Sequence, residues 1–298
     1  MTRITEPLAP GLTRQWTLRE VIYSGPTTYQ HVTIARTPQW ITLFCDQDRQ
    51  SAELSQLVYH EALMVPGLLL AAARDRVLII GSSEGVASQI AIAAGAALVD
   101  HVDIDRECVE LCAQYLPYGY SPAELQNAVD GVGPIRVHYD DGLRFVTESA
   151  AAAERYDVIV IDLPDEVLGG AAQHNRLYGA EFVARCRDLL TPGGVVITQA
   201  GCPTLWRQET LATALDRYRM VFPSTAFYGS WEHEWAFLVG CAEEVDDATT
   251  VMVKRLATLP YTPHSIDAQT LISGSILPYH LRDHSGARPS SSRLEPIA

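Results

Sequence analysis

Two carboxylates stand at the end of a short apolar run, in the stretch YDVIVIDLPDE. Asp162 closes a run of Val and Ile that is typical of a strand buried on both faces. Asp165 follows three residues later, beyond Pro164. A carboxylate at a strand end can accept the proton of an attacking amine, and a second one beside it can orient a cationic substrate. The spacing therefore predicts that Asp162 and Asp165 lie together at the carboxyl end of a strand, where they can act on a ligand.

Acidic residues also follow three other strand-like runs, where each would contact a different part of a nucleoside. Glu84 lies in the turn GSSEG, where it suits a cation such as a sulfonium better than a pyrophosphate. Asp103 comes about 20 residues after this turn, at a position suited to ribose hydroxyls. Asp141 is placed to accept from an exocyclic amine such as adenine N6. The alternatives are a plain strand-to-helix turn for GSSEG and an N-cap role for Asp141.

The elements around these acids predict that they converge. After Arg76, short apolar strands alternate with amphipathic helices, which indicates an α/β fold with a mostly parallel sheet. Ligands bind beyond the carboxyl ends of the strands in such a sheet. Strands are expected at 77–80, 98–104, 135–138, 157–162, 194–200 and 236–240. Helices are expected at 85–95, 106–116, 178–190, 206–217 and 246–257, with residues 118–134 as a surface excursion.

This order of elements also predicts a division of the chain. Residues 1–62 are β-rich and are expected to form a small N-terminal domain. Residues 63–282 are expected to form a Rossmann-like catalytic domain of the type that binds S-adenosylmethionine. Residues 283–298 have the composition of a disordered tail.

The bulk composition excludes several classes of protein. The chain has 298 residues, of which 47% are hydrophobic, and its formal net charge is −14. Such an acidic chain does not collect nucleic acid or anionic membrane by charge. No apolar run is long enough for a membrane span, so a cytoplasmic protein is expected. The six cysteines have no paired spacing and are expected to be buried free thiols, and no metal site is expected.

The same motifs, taken together, resemble the spermidine synthase family of polyamine aminopropyltransferases. The resemblance runs from about residue 25 to residue 282 and is carried by motifs in the order of that family. These are TYQHV, VYHEALMVPGLL, IIGSSEG, VDID, DDG, YDVIVIDLPD, TPGGVVITQAG and YTPHSIDA. The resemblance implies a β-rich N-terminal domain before the sheet, and an assembly of two or four copies.

The resemblance also implies roles for individual residues. Asp162 would be the catalytic carboxylate, with Asp165 beside it. The donor, S-adenosylmethionine or its decarboxylated form, would be lined by Gln30, His60, Gly81, Ser82, Glu84, Asp103, Ile104, Asp141, Gly142 and Leu163. The acceptor amine would face Tyr59 and Gln199, and the aromatic residues Trp206 and Trp235 are candidates for the same end. A helix-face histidine satisfied by its neighbours is the alternative for His60, and a core or subunit contact is the alternative for the tryptophans.

Three departures from the family pattern bear on the reaction. The donor loop is GSSEG rather than a triple-glycine loop, and its serines could donate to a donor carboxylate. Asp165 is followed by Glu166 rather than proline, and the next loop brings His174 and Arg176, whose charge is unfavourable near a diamine. The stretch AFYGSWEHEW makes the late acceptor end aromatic. Both ends of the site thus look changed while the nucleoside contacts are kept.

These departures favour an S-adenosylmethionine-dependent N-methyltransferase acting on a small-molecule amine. The alternative is an aminopropyltransferase that uses decarboxylated S-adenosylmethionine and a diamine. A third hypothesis, a nucleoside-binding protein without catalysis, fits less well because both Asp162 and Asp165 are retained.

Overall fold

The computed structural model describes residues 2–167, 170, 172–229 and 234–282. The predicted tail at 283–298, together with Trp231 of the aromatic stretch, therefore lies outside the described residues. The division into domains at residue 62 stays a prediction.

The N-terminal region is built from antiparallel strands. A hairpin of β1 (Thr2–Ala9) and β2 (Leu12–Leu18) precedes a four-stranded sheet in the order β3-β4-β5-β6. The four strands are β3 (Glu20–Pro26), β4 (His31–Thr37), β5 (Trp40–Cys45) and β6 (Asp48–Ala52). Residue alternation in YQHVTIAR and QWITLFCD predicted the two central strands, and the structure confirms them.

The second sheet has seven strands in the order β12-β13-β11-β10-β7-β8-β9. The five strands from β11 to β9 are parallel to one another. Strand β13 pairs in antiparallel fashion with both β11 and β12. The bounds are β7 (Arg76–Gly81), β8 (Leu98–Asp103), β9 (Ile135–Tyr139), β10 (Tyr156–Asp162), β11 (Leu190–Gln199), β12 (Ser224–Gly229) and β13 (Ala236–Cys241). The predicted α/β class and mostly parallel sheet are confirmed.

Helices cover both faces of this sheet, because successive strand residues point to opposite sides. The helices are α1 (Gln56–Leu70), α2 (Val86–Ala93), α3 (Arg106–Tyr115), α4 (Pro122–Val129), α5 (Gly142–Ala151), α6 (Ala180–Asp188), α7 (Glu209–Val221), α8 (Ala248–Leu256) and α9 (Ala268–Gly274). Val158 and Val160 of β10 pack on one side with α1, α2 and α8, whereas Ile159 and Ile161 pack on the other with α6 and α7. Within the described part of the chain, no helix has both the length and the apolar character to cross a membrane.

Helices α4, α5 and α9 and strand β12 were not predicted. The excursion 118–134 contains α4, which starts with a reciprocal capping box between Ser121 and Glu124. Helix α5 begins directly after Asp141, β12 occupies part of the stretch that was noted only for its aromatic residues, and α9 starts at the end of the YTPHSIDA motif. Length does not explain all of these omissions, because α5 has 10 residues and the predicted α2 has 8.

Helix α1 is tied to the end of the chain by a buried carboxylate. Glu61 is fully buried, and it accepts hydrogen bonds from the Tyr261 hydroxyl at 2.6 Å and from the backbone N–H groups of His264 and Ser265 at 2.7 Å. The Ser265 hydroxyl donates to it as well. These donors satisfy a charge that would otherwise be costly to bury, and they fix α1 against residues 261–265.

Candidate active site

The predicted strand-end residues meet where the strand order of the parallel sheet reverses. Strand β7 lies between β10 and β8, and Gly81 is the register partner of Asp162. Gly81 has a φ of 85°, and a Cβ there would lie 2.1 Å from the Asp162 carbonyl oxygen. The N–H of Ser82 donates to that same oxygen at 3.0 Å. Only glycine fits this close approach, and the pair places the donor loop beside the predicted catalytic acid.

Asp103 lies at the end of the neighbouring strand with its carboxylate oriented by two donors. Ser83 Oγ donates to Asp103 Oδ2 at 2.7 Å, and the Asp105 N–H donates to Oδ1 at 2.8 Å. Burial raises the pKa of the Asp103 carboxyl to about 7. A buried carboxylate held this way can accept hydrogen bonds from vicinal hydroxyls, as the sequence predicted.

Gln30 reaches this region from the N-terminal sheet. Its Nε2 donates to Asp105 Oδ2 at 2.9 Å, and the Thr27 hydroxyl donates to the same oxygen at 2.6 Å. The other oxygen of Asp105 caps α3 by accepting from the Cys108 N–H. The N-terminal strands therefore attach to the wall of the site through the cap of α3.

Asp141 has the N-cap function that the sequence offered as one alternative, and a contact with an exocyclic amine stays a prediction. Its Oδ1 caps α5 by accepting from Leu143 N–H at 2.9 Å and Arg144 N–H at 3.1 Å. Its Oδ2 forms an ion pair with Arg176. Arg176, whose charge was considered unfavourable near a diamine, is thus partly compensated by Asp141. Gly142, Ile104 and Leu163 line the same side of the pocket.

Glu84 faces the space between the nucleoside wall and Asp162. The residue is 8% exposed and lines the pocket. Its carboxylate has no hydrogen-bond donor within the described residues, whereas Ser83 is committed to Asp103. Ser82 lines the pocket and is 6% exposed, and its hydroxyl lies close enough to Asp162 to lower the pKa of that carboxyl. The loop thus presents the carboxylate of Glu84 to a ligand.

Asp162 is held from the opposite side by α1. The Tyr59 hydroxyl donates to Asp162 Oδ1 at 2.6 Å. Burial raises the pKa of Asp162, while the positive field of His60 and the Tyr59 hydrogen bond oppose the rise. His60 Nδ1 lies 2.7 Å from the Gln56 carbonyl oxygen, so its helix-face role and its place in the pocket wall coexist. The arrangement provides a carboxylate poised to take up a proton.

Asp165 has both of its oxygens engaged. Gln199 Nε2 donates to Oδ1, and Arg207 Nη2 donates to Oδ2 at 2.7 Å. The position of Asp165 beside an acceptor amine stays a prediction, and in the structure both of its oxygens already accept hydrogen bonds from side chains. Next to it, Glu166 is paired with Arg217 at 2.7 Å, and His174 Nε2 lies 3.0 Å from the Asp165 carbonyl oxygen.

The predicted aromatic residues separate into a wall and a rim. Trp235 packs edge-on against Tyr59 with ring centroids 5.7 Å apart, and the Arg49 guanidinium lies 4.6 Å from its ring. Trp206 is 60% exposed at the pocket rim. Tyr228 is buried in the core, as the alternative interpretation held.

Every residue that was predicted for the site lines one pocket of 1040 Å³. This volume exceeds what a nucleoside fills, so a second substrate fits beyond Asp162. Among the described residues, no three His, Cys, Asp or Glu side chains are grouped as metal ligands. All six cysteines are free and buried.

Comparison with known proteins decides the family. A model of the spermine/spermidine synthase domain matches residues 56–231. The chain belongs to the spermine/spermidine synthase family.

Curated relatives in this family carry aminopropyltransferase names. A polyamine aminopropyltransferase of Pyrobaculum calidifontis is 30% identical over 88% of this chain and 84% of the relative. Polyamine aminopropyltransferase 2 of Hyperthermus butylicus is 35% identical over 78% of this chain and 74% of the relative. These relatives show that the chain is a transferase of this family.

Solved structures show that the fold is that of spermidine synthase. A spermidine synthase in complex with the transition-state analogue AdoDATO superposes with a TM-score of 0.78 at 19% identity, covering 93% of this chain and 92% of that chain. The spermidine synthase from Thermotoga maritima gives the same values. The expected fold and family resemblance are confirmed.

Sequence reasoning missed three charged residues of this family member's pocket. Arg207, Arg49 and Asp48 line the end that lies beyond Asp165. Asp48 and Arg49 come from β6 of the N-terminal sheet, and Arg207 lies in the loop after β11. No motif marks them. The one available signal was the position of Arg207, directly after the exposed Trp206.

Proposed function

We propose that the protein transfers an aminopropyl group from decarboxylated S-adenosylmethionine to a primary amine. The carboxylate of Glu84 carries the proposal, because it lines the same pocket as Asp103 and Asp162 and has no hydrogen-bond donor among the described residues. It complements the terminal ammonium of the decarboxylated donor. It repels the carboxylate of the intact donor, which the expected methyltransferase would use. The aminopropyltransferase names of the relatives support the same alternative.

The serines of the donor loop do not compensate for that repulsion. The methyltransferase interpretation assigned both hydroxyls to a donor carboxylate. Ser83 instead donates to Asp103 at 2.7 Å, which leaves only the hydroxyl of Ser82. One neutral donor does not offset a buried carboxylate nearby. No cationic side chain hydrogen-bonds Glu84 within the described residues, so its charge remains available to an ammonium.

The residues present fit the donor and define what each would do. Asp103 would accept from the ribose hydroxyls, Asp141 and Ile104 would border the base, and Glu84 would bind the ammonium of the tail. A sulfonium carbon is already activated, and its leaving group is a neutral thioether. The protein must align the attack and keep the nucleophilic amine unprotonated.

Asp162 supplies the base that this step requires. An alkylammonium has a pKa of ~10.4, so the neutral amine costs about 4–5 kcal/mol at pH 7. Asp162 takes the proton as the C–N bond forms, and its own raised pKa improves it as an acceptor. Tyr59 keeps the carboxylate oriented by donating to Oδ1 at 2.6 Å. His60 adds a field that favours the ionised form.

The proposal is tested by donor preference on the purified chain. Calorimetric titration should show that decarboxylated S-adenosylmethionine binds at least about tenfold more tightly than the intact form, equivalent to ~1.4 kcal/mol. Incubation with an amine should release methylthioadenosine, and Asp162→Asn should slow that release by about 10²–10⁴-fold while donor binding persists. Tighter binding of the intact donor, with release of S-adenosylhomocysteine, would overturn the proposal in favour of methyl transfer.

A further inference from the structure

We infer that the acceptor is an α,ω-diamino acid, whose α-ammonium and α-carboxylate are bound by Asp165, Gln199 and Arg207 while its ω-amine attacks the donor. This inference rests on the proposed function, because it names the acceptor of the same transfer.

The state of Asp165 argues against a plain diamine. A diamine presents a second ammonium, which needs an uncompensated carboxylate. Both oxygens of Asp165 already accept hydrogen bonds, one from Gln199 and one from Arg207 at 2.7 Å. Displacing a guanidinium from a part-buried ion pair in order to seat another cation gains little. The Asp165–Arg207 pair therefore lowers the affinity of this end for a second free ammonium.

The same pair is complementary to a zwitterion. Asp165 and Arg207 are 31% and 19% exposed at the side chain and line the pocket together. Nη2 is the guanidinium atom that donates to Asp165, and the rest of the guanidinium has no hydrogen-bond partner among the described residues. Its planar fork matches a carboxylate in two hydrogen bonds. Gln199 is buried, and its Oε1 has no partner in the described part of the chain, so it can accept from an α-ammonium.

The charges around the pair also accommodate an anionic group. Arg49 is 8% exposed and its Nε has no hydrogen-bond partner among the described residues. Glu6 is compensated by Trp16 Nε1 at 2.6 Å and by Arg14 at 3.8 Å. Burial and the fields of Glu6 and Asp165 raise the pKa of Asp48 to about 6, while Arg207 opposes that rise. With a pKa of about 6, Asp48 is still mostly ionised at pH 7, so a ligand carboxylate in this pocket meets that one anion together with two cations, Arg49 and Arg207.

The transfer is balanced for this acceptor. The neutral ω-amine attacks the aminopropyl carbon next to the sulfonium, so that a C–N bond forms and the C–S bond breaks. The electron pair of the broken bond stays on sulfur, which leaves as the neutral thioether methylthioadenosine. One proton passes from the nitrogen to Asp162. The α-ammonium and α-carboxylate are unchanged, and the product is an Nω-aminopropyl amino acid.

Ornithine and 1,4-diaminobutane form a matched pair of probes, because they differ only by the α-carboxylate. Each is titrated calorimetrically into the full chain saturated with methylthioadenosine. Ornithine should bind at least about tenfold more tightly, since a charge-assisted bidentate hydrogen bond supplies the difference. Equal or tighter binding of 1,4-diaminobutane would overturn the inference.

Substitution of Arg207 should reverse this preference. Arg207→Gln should weaken ornithine binding by about tenfold or more and strengthen 1,4-diaminobutane, because Asp165 loses its cation. Arg207→Lys, which keeps the charge but loses the fork, should restore part of the ornithine affinity. Arg185→Gln removes an exposed arginine paired with Glu181 and is the control. An unchanged affinity ratio in a folded Arg207→Gln protein would contradict the inference.

Turnover separates failure of this inference from failure of the proposed function. If decarboxylated S-adenosylmethionine is consumed with 1,4-diaminobutane but not with ornithine, the transfer stands and the acceptor is wrong. If neither amine consumes that donor, the proposed function fails. In that case the ratio of the affinities for ornithine and 1,4-diaminobutane, and its change in Arg207→Gln, still test whether Asp165, Gln199 and Arg207 bind an α-amino acid group.

Discussion

Asp162 at the end of β10 accepts a 2.6 Å hydrogen bond from the hydroxyl of Tyr59 on α1. The two residues are 103 positions apart in the chain. One comes from the parallel sheet and the other from the helix that links this sheet to the N-terminal strands. The contact therefore makes the protonation state of the proposed base depend on how α1 docks.

Tyr59→Phe should shift the pH dependence of the reaction. The phenol donates to the ionised carboxylate and lowers its pKa, whereas burial raises it. Loss of the donor raises the pKa further, so the acidic limb of the kcat profile should move to higher pH. At neutral pH, kcat should fall about tenfold or more, because a hydrogen bond to a charged group is worth ~1.5–3 kcal/mol.

The dependence of kcat on pH is measured from pH 5 to 9. Tyr23→Phe, outside the pocket lining, is the control, and an unmoved acidic limb would exclude Tyr59 from this role.

Asp103→Asn should remove the pH dependence of nucleoside binding. The Asp103 pKa is raised to about 7, so its carboxyl becomes protonated as the pH falls through that value. The protonated group accepts hydroxyl hydrogen bonds more weakly. In the unsubstituted protein, affinity for methylthioadenosine should therefore fall as the pH is lowered from 8 to 6. In Asp103→Asn the affinity for methylthioadenosine should be about tenfold weaker at pH 8 and should not change between pH 8 and 6. Asp130→Asn, an exposed carboxyl outside the pocket, should keep the original slope. A slope that persists in Asp103→Asn would assign it to another group.

Glu84→Gln should abolish discrimination between the two donors. Removing the carboxylate removes the partner of the ammonium in the decarboxylated donor and the repulsion of the carboxylate in the intact donor. Affinity for the decarboxylated donor should fall about tenfold or more, and that for the intact donor should stay or rise. Calorimetric titration of both donors measures the effect, with exposed Glu20→Gln as control. A parallel loss for both donors would indicate a structural role for Glu84 instead.

Gly81→Ala should lower the free energy of unfolding more than the same substitution at another glycine with a similar φ. Its Cβ would lie 2.1 Å from the Asp162 carbonyl oxygen, at a φ of 85°. Gly131 has a φ of 71° and nothing within 4 Å of an added Cβ. Gly131→Ala should cost about 1 kcal/mol from backbone strain alone, and Gly81→Ala about 3 kcal/mol or more. Urea unfolding followed by circular dichroism measures the difference. Equal losses of unfolding free energy in the two variants would mean that the backbone between β7 and β10 adjusts to the added Cβ without strain.

The sequence predicted the sheet and its strand ends because local signals specify them. Runs such as VLII and DVIVID have the length and composition of buried strands, and the acids that follow them lie beyond the carboxyl ends of β7, β8 and β10. Spacing and the family resemblance together led to the prediction of Asp103, Glu84 and Asp162 as site residues, and all three line the pocket.

The ion pairs of the site could not be predicted from the sequence in the same way. Asp165 is neutralised by Arg207, which is 42 positions away, and Asp141 by Arg176, which is 35 away. No period or motif specifies such long-range partners, because they are set by tertiary packing. For this reason the partner of Arg176 was not predicted, and Arg207 was not considered.

Glu61 links the position of Tyr59 to a distant part of the chain. It follows Tyr59 by two positions on α1, and its buried carboxylate has its donors in residues 261–265. Without those donors α1 would have to bury an anion without partners. A substitution in residues 261–265 would therefore act on the proposed base Asp162 from outside the pocket lining, through α1 and the Tyr59 hydroxyl.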